Sequence, residues 1–476
     1  MPFQTTPRDC LINGIWHSGE GDPFHKTCPA TGVISWAGNA ASNVQVEAAI
    51  ASARRAFEAW SFKPLDARIA VLERYAELLA AGKETLARAI SGDMGKLITE
   101  ARLEVDAMVS KIAISIRAQA ERAGDKAMQV AFGQLELTHR PHGVMAVFGP
   151  YNFPGHLPNG HIVPALLAGN TCVFKPSELA PSVAPHMMEA FEAAGLDPGC
   201  VNLVQGGHDT GTALLQGDIN GLLFTGSETT GLYFHRFFAG RPEVMLALEM
   251  GGNNPLIIWD ADDVESAARL AIASAFQTTG QRCSCARRLI LPEGRFGDEV
   301  LEAIIAQSEA LQVGAGEDES AFMGPLVNEK AAATTLDFQA RLSSQGGERL
   351  LPARQPVIDR GFVTAGLVDM TAARPMDEEL FGPLLQVFRV ATLDDAINRA
   401  NETRFGLSGG VVTEDDAVWA YAKPRLRTGI LNRNRPTAGA SSAMPFGGPG
   451  RSGNFRPGGY YAADYCAWPQ ASQVTG

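Results

Sequence analysis

Two side chains of this 476-residue sequence could act together in covalent catalysis, namely Cys283 in GQRCSC and Glu249 in LEMGGNNP. A thiolate is a strong nucleophile, and backbone N–H groups at a helix end or neighbouring cations can lower the pKa of a thiol. A partly buried carboxylate can have a raised pKa and can activate a water molecule. Considered alone, a single cysteine is more often an inert buried thiol, and a glutamate at a strand end is more often part of a salt bridge. Their assignment therefore depends on the residues that accompany them.

Asn152, in GPYNFP, could supply the third group that attack on a carbonyl requires. The carbonyl oxygen becomes an oxyanion when a nucleophile adds to the carbon, and it then needs hydrogen-bond donors. The side-chain amide of Asn152 can be one donor, and the backbone N–H of Cys283 can be another. The alternative is an asparagine that only forms a turn.

Two further segments have the chemistry to bind a dinucleotide: FKPSE, which contains Lys175 and Glu178, and FTGSETTG at 224–231. A carboxylate at a strand end can accept hydrogen bonds from ribose hydroxyls, and its charge repels a 2′-phosphate, which favours NAD over NADP. The glycine spacing in FTGSETTG is neither the dinucleotide fingerprint nor a P-loop, yet a strand, a glycine turn and a helix N-terminus can receive a pyrophosphate. The alternative for KPSE is a helix N-cap at Ser177.

The elements that must position these groups alternate between strand and helix. Helical stretches such as HIVPALLAG and VAPHMMEAFEAAG lie between short apolar runs of strand-like composition, at 144–148, 171–174, 201–204, 221–224 and 244–248. This alternation predicts parallel βαβ units and a doubly wound sheet. Such sheets bind ligands beyond the carboxyl ends of their strands. The candidate segments around Asn152, Lys175, Thr225 and Glu249 each follow one of these strands.

The regions on either side have different patterns. Residues 43–122 show the period of amphipathic helices, and a second α/β pattern begins near residue 262 with DDVESAARLAIASAFQTTG. Residues 126–141 favour extended structure, which we expect to project from the main body. The C-terminal quarter is rich in glycine and proline, as in PFGGPGRSGNFRPGGYY, which is typical of loops and an extended tail.

Composition limits the kinds of protein this chain can be. Hydrophobic residues make up 45% and charged residues 19%, which indicates a globular protein with a large core. The net charge of −12 would repel phosphate backbones and anionic lipid, so neither a nucleic acid nor a membrane is expected as a partner. No apolar run reaches the ~18 residues of a membrane helix, and the N-terminus lacks a basic start followed by an apolar stretch, so we expect a cytoplasmic protein without a secretory signal. The seven cysteines form neither a disulfide framework nor paired C-x-x-C zinc spacing, and no metal site is predicted.

Taken together, the motifs resemble those of the NAD(P)-dependent aldehyde dehydrogenase superfamily. The resemblance covers nearly the whole chain and keeps the order GPYNFP, FKPSE, FTGSETTG, LEMGGNNP, GQRC, EELFGP and PFGG. It implies an α/β fold with a Rossmann-type doubly wound cofactor domain, an α/β catalytic domain and a β oligomerisation element that makes a homodimer or a dimer of dimers. The implied boundaries are 1–122 and 142–248 for the NAD-binding domain, 249–441 for the catalytic domain, and 123–141 with 442–476 for the oligomerisation element and C-terminal tail.

The resemblance also implies a role for each matched residue. Cys283 would be the nucleophile that forms a thiohemiacetal and then a thioester, and Asn152 would be the oxyanion donor. Glu249 would be the base that activates water to release an acid, and NAD would accept the hydride. The implied cofactor contacts are Lys175 and Glu178 at the adenine ribose, Glu379 in EELFGP at the nicotinamide ribose, Phe381 near the nicotinamide, and Phe224, Gly226, Ser227, Glu228, Thr229, Thr230 and Gly231 in the cofactor turn.

A narrower resemblance lies around the nucleophile and at the C-terminus. GQRCSCARR, PTAGASSAMPFGG and SGNFRPGGYYAADYCAWP are similar to segments of family members that oxidise N-succinyl-L-glutamate 5-semialdehyde to N-succinyl-L-glutamate in the succinyltransferase pathway of arginine catabolism. Such a substrate is anionic, so the site needs cations. Arg433, Arg435 and Arg456 lie in loops expected to line the entrance, and bidentate guanidinium groups suit carboxylates. The alternative is that these arginines only contact solvent or a partner subunit.

Three other functions stay open from the sequence. The same chemistry could act on succinate semialdehyde or glutamate semialdehyde. A non-catalytic member of the family is expected to lose the nucleophile, the base or the oxyanion donor, whereas this chain keeps all three. CoA-acylating relatives typically lack the base that Glu249 would provide.

Cys285 would be a small buried filler, or it would form a strained redox-sensitive disulfide with Cys283.

Overall fold

The structure, a computed structural model, describes residues 8–475. Residues 1–7 of the predicted 1–122 segment and residue 476 of the predicted 442–476 segment lie outside the described residues.

The part of the chain from residue 8 to residue 250 alternates between helices and short strands. Its helices are α1 (Asn43–Phe62), α2 (Leu65–Ala81), α3 (Lys83–Met94), α4 (Ile98–Arg122), α5 (His156–Ala168), α6 (Val183–Ala193), α7 (His208–Gln216) and α8 (Glu228–Phe237). Its strands are β1 (Cys10–Ile12), β2 (Ile15–His17), β3 (Pro23–Thr27), β4 (Ile34–Asn39), β5 (Lys126–Val130), β6 (Gly133–Pro141), β7 (Val144–Phe148), β8 (Thr171–Lys175), β9 (Val201–Val204), β10 (Gly221–Gly226) and β11 (Met245–Met250). The helical region predicted for 43–122 and the five predicted strands are confirmed.

A seven-stranded sheet in the order β11-β10-β7-β8-β9-β1-β2 forms the centre of this part. The strands from β7 to β11 are parallel to their neighbours, whereas β1 is antiparallel to β9. Val144, Ala146 and Phe148 belong to one buried hydrophobic cluster, and Met145 and Val147 belong to another. Because side chains of a strand alternate between its faces, both faces of β7 are covered, and such a strand needs the continuous apolar run VMAVF. The predicted doubly wound sheet is confirmed.

Residues 254–433 form a second α/β unit. Its strands are β12 (Asn254–Ile258), β13 (Ala286–Pro292), β14 (Glu348–Leu351), β15 (Gly366–Asp369), β16 (Leu384–Val390), β17 (Ser408–Val412) and β18 (Ile430–Arg433). Its helices are α9 (Val264–Phe276), α10 (Arg295–Glu309), α11 (Glu329–Ser344), α12 (Leu393–Asn401) and α13 (Asp416–Ala422). The sheet order is β14-β15-β16-β13-β12-β17-β18, and within this range only the edge strand β14 runs antiparallel to its neighbour. The predicted second α/β pattern is confirmed.

The C-terminal tail joins the segment 126–141 in a smaller sheet. The tail contains β19 (Pro445–Phe446), β20 (Gly458–Gly459), α14 (Ala462–Tyr465) and β21 (Ala467–Thr475). β21 pairs antiparallel with β6 along its nine residues, and β5 completes the sheet on the other side of β6. The extended structure predicted for 126–141 is confirmed, as a hairpin that shares its sheet with the end of the chain. Among the described residues, no helix is long and apolar enough to cross a membrane.

Candidate active site

The candidate nucleophile Cys283 lies in the short connection between a 3₁₀ turn (Gln277–Gly280) and β13. Two residues of that turn, Thr278 and Thr279, have φ values of 52° and 57°. A left-handed backbone costs a β-branched residue about 1–3 kcal/mol, so it persists only where the surroundings enforce it. Glu100 on α4 does so by accepting hydrogen bonds from the N–H (3.1 Å) and the hydroxyl (2.9 Å) of Thr278. The loop before the nucleophile is therefore held in a strained shape by a side chain of α4.

Asn254, the first residue of β12, fixes the loop on the side of the cysteines. Its side-chain amide donates to the carbonyl oxygens of Cys283 (2.7 Å) and Cys285 (2.8 Å). Cys285 is fully buried, and its thiol lies 3.8 Å from the carbonyl oxygen of Gln277. This environment agrees with a small buried filler, and the disulfide hypothesis stays a prediction.

Burial raises the pKa of the Cys283 thiol well above its usual range, and the carboxyl groups of Glu379 and Glu249 raise it further. Arg287 has the opposite effect, whereas the sequence neighbour Arg282 is paired with a carboxylate of α4. The surroundings thus raise the pKa of this thiol, contrary to the lowering that the sequence suggested. The protonated thiol must give up its proton to a base when it attacks.

Asn152 lies in the loop between β7 and α5, next to the nucleophile. Its side-chain amide donates one hydrogen to the carbonyl oxygen of Gln281 (3.0 Å), which leaves the second hydrogen for an oxyanion. The buried ammonium of Lys96 donates to the backbone oxygen of Asn152 (2.8 Å) and to Glu104 (2.7 Å). Glu104 also accepts a hydrogen bond from the Gly155 N–H (3.0 Å). A buried ion pair without any sequence motif of its own therefore positions the candidate oxyanion donor.

The candidate base Glu249 is the next-to-last residue of β11, so the strand extends further than its apolar run predicted. Its side chain accepts a hydrogen bond from the Gly458 N–H (2.7 Å), and a Cβ on Gly458 would overlap the carboxylate. Burial raises the pKa of Glu249 to about 8, against the opposing effects of this hydrogen bond and of Lys111. A carboxyl group with such a pKa can accept and release a proton near neutral pH, as a general base must.

Two glycines that follow Glu249 make room for neighbouring side chains. A Cβ on Gly251 would overlap the carboxylate of Glu379, and a Cβ on Gly252 would overlap the side chain of Asn254. Glu379 accepts a hydrogen bond from the Gly252 N–H (3.1 Å), and burial raises the pKa of Glu379 to about 7. The glycines thus allow the predicted nicotinamide-ribose contact to approach the strand that carries the candidate base.

A cleft of about 810 Å³, which we name the cofactor cleft, follows the carboxyl ends of β7, β8, β10 and β11. This volume suits a ligand of the size of a cofactor. The cleft brings together most of the predicted site residues, namely Asn152, Lys175, Glu178, Phe224, Gly226, Ser227, Thr229, Thr230, Glu249, Cys283, Glu379 and Phe381. Residues predicted from separate motifs therefore line one continuous surface.

Lys175 and the start of α8 provide polar groups at this cleft. The Lys175 ammonium donates to the carbonyl oxygen of Gly206 (2.7 Å) and lies 3.7 Å from the carboxylate of Glu178. Helix α8 begins after its N-cap Ser227, so the positive end of the helix dipole lies where an anionic group of a ligand could bind. The structure contains the predicted arrangement, in which a strand leads through a glycine turn to a helix N-terminus.

Three residues of these motifs differ from what the sequence predicted. Ser177 does not cap α6, and its hydroxyl instead accepts a hydrogen bond from the backbone N–H two residues later. Glu228 does not line the cleft, because its carboxylate is paired with Arg451 (2.6 Å). Gly231 faces the side chain of Met250, which a Cβ at this position would overlap.

A second cavity, of about 280 Å³, also reaches Cys283 and Glu249, and we name it the substrate pocket. Its walls come from one face of α4, from the start of α5, from the loop 438–442 and from the nucleophile loop. Two strongly basic side chains line it, Lys111 from α4 and Arg282 from the nucleophile loop. Because it meets the cofactor cleft at the thiol and the candidate base, it is the candidate site for a substrate carbonyl.

The structure does not bring the predicted substrate arginines into the substrate pocket. Arg433 is the last residue of β18, and its guanidinium is paired with Asp416 (2.5 Å). Arg435 is exposed, and Arg456 is exposed in the neighbourhood of His142. The residue types in these loops indicate cations, but a partner elsewhere in the chain decides where the side chain of Arg433 points.

Lys111 belongs to none of the motifs, but its position in the sequence indicates that its side chain is buried. It lies on the stripe of α4 formed by Ala101, Val105, Met108 and Ile112, all of which are buried. A lysine within an apolar stripe must bury its ammonium, and lysine is almost never fully buried unless it is paired. Helical periodicity alone could therefore have singled out this residue.

The site defines a class of enzyme. A thiol, a carboxyl group and an asparagine amide lie at the junction of a cleft at the strand ends of a doubly wound sheet and a second pocket whose lining includes Lys111 and Arg282. Within residues 8–475, no group of three His, Cys, Asp or Glu side chains is placed to hold a metal ion. The arrangement contains the groups that a dehydrogenase with a cysteine nucleophile would need.

Comparison with known proteins specifies the family. Residues 16–470 match the aldehyde dehydrogenase family, and the chain belongs to this family. The chain is 52% identical over 467 residues to N-succinylglutamate 5-semialdehyde dehydrogenase of Burkholderia cenocepacia, with 98% of this chain and 96% of that protein covered. The protein of the same name from Burkholderia ambifaria is 51% identical with the same coverage. The resemblance inferred from the motifs is confirmed for the family and for its narrower branch.

Solved structures agree on the fold. Methylmalonate-semialdehyde dehydrogenase from Oceanimonas doudoroffii gives a TM-score of 0.93 at 26% identity, with 98% of each chain covered. A point mutant of betaine aldehyde dehydrogenase from Staphylococcus aureus, solved in complex with NAD+, gives a TM-score of 0.92 at 25% identity, with 98% of this chain and 96% of that chain covered. The predicted α/β fold class is confirmed.

Proposed function

We propose that this chain oxidises N-succinyl-L-glutamate 5-semialdehyde to N-succinyl-L-glutamate with NAD+. The observation that carries the proposal is the 52% identity, over 98% of the chain, to a relative named for the dehydrogenation of this semialdehyde. The site supports the proposal, because a thiol, a base and an oxyanion donor meet between a cofactor-sized cleft and a pocket with two cations.

Each catalytic residue has a task that its surroundings allow. The thiol of Cys283 loses its proton through water to solvent as the sulfur adds to the aldehyde carbon, and Asn152 together with the backbone N–H of Cys283 donates hydrogen bonds to the oxyanion. When bound, NAD+ accepts the hydride, and the thiohemiacetal on Cys283 becomes a thioester. Glu249 then takes a proton from water, whose oxygen attacks the thioester carbon and releases the acid and the thiol.

The residues of the cofactor cleft fit NAD+ better than NADP+. Glu178 would accept hydrogen bonds from the hydroxyls of the adenosine ribose, and its negative charge would repel a 2′-phosphate. The N-terminus of α8 would stabilise the pyrophosphate through the helix dipole. Glu379 would hold the second ribose close to the candidate base, and Phe381 would pack near the nicotinamide.

Steady-state kinetics with a panel of aldehydes test the proposal. With NAD+, we expect kcat/KM for the succinylated semialdehyde to exceed the values for succinate semialdehyde and glutamate semialdehyde by at least about tenfold, because a site that pairs buried polar groups of its substrate rejects analogues that lack them. With NADP+ in place of NAD+ the rate should fall, and added CoA should yield no acyl-CoA. A preference for another semialdehyde would contradict the proposed substrate and leave the aldehyde chemistry intact.

The three main sheets support a division of the chain into domains. We propose the NAD-binding domain at 1–122 and 142–248, the catalytic domain at 249–441, and the oligomerisation element with the C-terminal tail at 123–141 and 442–476. The two seven-stranded sheets and the β5-β6-β21 sheet support this division. We also propose a cytoplasmic location, which the seven free cysteines support, because extracellular proteins tend to pair their cysteines.

The small sheet supports a homodimer or a dimer of dimers. β5 and β21 are its outer strands, and Met128, Phe132, Trp468 and Val474 on this element are 43–59% exposed. Open strand edges and exposed apolar side chains are typically covered by a partner chain.

Light scattering at micromolar concentration should therefore give a mass of at least twice the 50.6 kDa of one chain. Met128→Asp should shift the distribution towards monomer, because it places a charge on the element proposed to be covered. Ile358→Asp is the matched control, since Ile358 is 80% exposed on a loop outside this sheet. A monomeric wild-type protein would contradict the proposal.

A further inference from the structure

The ammonium of Lys111 is a buried charge with few partners. The residue is 2% exposed and lines the substrate pocket. Its Nζ donates one hydrogen bond, to the carbonyl oxygen of Gly459 (2.6 Å). An ammonium has three N–H donors, and the other two have no acceptor among residues 8–475. A buried charge is costly unless it is paired, so a negative ligand would complete this site.

Among residues 8–475, Glu249 is the carboxyl group that raises the pKa of Lys111, and it is a poor permanent counter-ion. Glu249 must exchange a proton during hydrolysis, and its pKa of about 8 leaves it mostly protonated at neutral pH. Burial lowers the pKa of Lys111 to about 8, and a negative ligand beside the ammonium would favour its charged form. Among the described residues, no carboxylate forms an ion pair with this ammonium, so the substrate pocket contains a basic group without a permanent counter-ion.

The other cation of the pocket is already paired. The guanidinium of Arg282 lies 3.2 Å from Glu100, and its Nε donates to the Thr278 hydroxyl (2.9 Å). Both contacts tie Arg282 to the strained turn before Cys283. Its charge is balanced by a neighbouring carboxylate, and its main contribution is to the shape of the nucleophile loop.

We infer that Lys111 binds a carboxylate of the substrate and thereby selects anionic aldehydes. The inference rests on the proposed function for the identity of the substrate, which carries two carboxylates and an amide besides its aldehyde. Lys111 is bonded to Gly459, and the adjacent Gly458 holds Glu249, so the ammonium lies close to the reacting centre. The carboxylate nearer to the aldehyde is therefore the one that Lys111 binds.

Paired substrates and a charge-removing variant test this inference. Succinate semialdehyde and butanal share a four-carbon chain and differ in one carboxylate. Lys111→Met should lower kcat/KM for succinate semialdehyde by about 100-fold more than kcat/KM for butanal, in the range measured when one partner of a buried charge pair is removed. Any loss for butanal reports the effect of Lys111 on the pKa of Glu249, which both substrates share. Lys111→Arg should keep most of the preference for the anion. The control Lys330→Met, at an exposed lysine of α11, should change neither value.

The possible results distinguish carboxylate binding by Lys111 from other roles of this residue. Equal losses for both substrates in Lys111→Met would overturn the inference, because a purely structural or base-tuning role would affect every aldehyde alike. A selective loss for the anion in Arg435→Gln, with none in Lys111→Met, would overturn it in favour of the arginine loops. If the Met variant does not fold, Lys111→Gln keeps a donor for Gly459 without the charge and should give the same selective loss. A wild-type enzyme that prefers another semialdehyde over the succinylated one contradicts the proposed function alone, since the comparison with butanal needs only one carboxylate.

Discussion

Replacing Cys283 by alanine is expected to lower kcat for aldehyde oxidation by at least about 10⁴-fold, because removal of a catalytic nucleophile abolishes the covalent route. Among residues 8–475, Cys283 is the only cysteine that lines the cofactor cleft or the substrate pocket. NADH absorbance gives the rate. Binding of NADH, followed by its fluorescence, should stay close to wild type, since most of the cofactor cleft is formed by the strand ends of the first sheet.

Cys285→Ala is the matched control. Cys285 is buried two residues from the nucleophile and lines neither cavity, so this variant should keep aldehyde oxidation close to wild type. Substantial activity in Cys283→Ala would show that a different group attacks the carbonyl. A loss of activity in both variants would point to the shape of the loop rather than to the thiol, and circular dichroism would show whether the fold has changed.

The strands and most of the cofactor cleft could be predicted because their signals are local. A strand buried on both faces is a continuous apolar run, as in VMAVF, and parallel strands place their ends at one edge of the sheet. Asn152 and Gln281 are 129 positions apart, so their hydrogen bond depends on how two distant segments of the chain meet and not on any local pattern. Only the order of the motifs, compared with a known family, indicated that these residues share a site.

The substrate cations show the limit of reasoning from residue type. Arg433, Arg435 and Arg456 have the right chemistry for carboxylates, but local loop sequence does not determine the direction of a long side chain. Arg433 is paired with Asp416, a partner 17 positions away at the start of α13. Lys111, by contrast, has its position fixed by the helix that carries it, because the buried stripe of α4 directs its side chain into the protein. A charged residue at an apolar helical position is therefore a better guide to a pocket than a charged residue in a loop.

Glu249→Gln should separate the two halves of the reaction. Steady-state turnover should fall by about 10²–10⁴-fold, the contribution typical of a general base, while the first turnover still gives a burst of one NADH per site. The burst is expected because the thioester on Cys283 forms before water is activated. Glutamine keeps an oxygen that can accept the hydrogen bond from the Gly458 N–H, so the geometry of β11 should be retained. Rapid-mixing measurements of NADH detect both phases.

The pH dependence of the same variant tests the cause of the effect. Burial raises the pKa of Glu249 to about 8, so hydrolysis in the wild type should increase as pH rises through this value and the carboxylate forms. The variant should lack this inflection.

A carboxyl group whose pKa is raised by folding stabilises the folded state below its unfolded pKa, and this stability is lost as pH rises through the folded pKa. Glu249→Gln should therefore raise Tm relative to wild type at pH values above about 8 and have little effect below its unfolded pKa of about 4.5. Loss of the NADH burst in the variant would instead place Glu249 before hydride transfer, as the base that takes the proton from the Cys283 thiol.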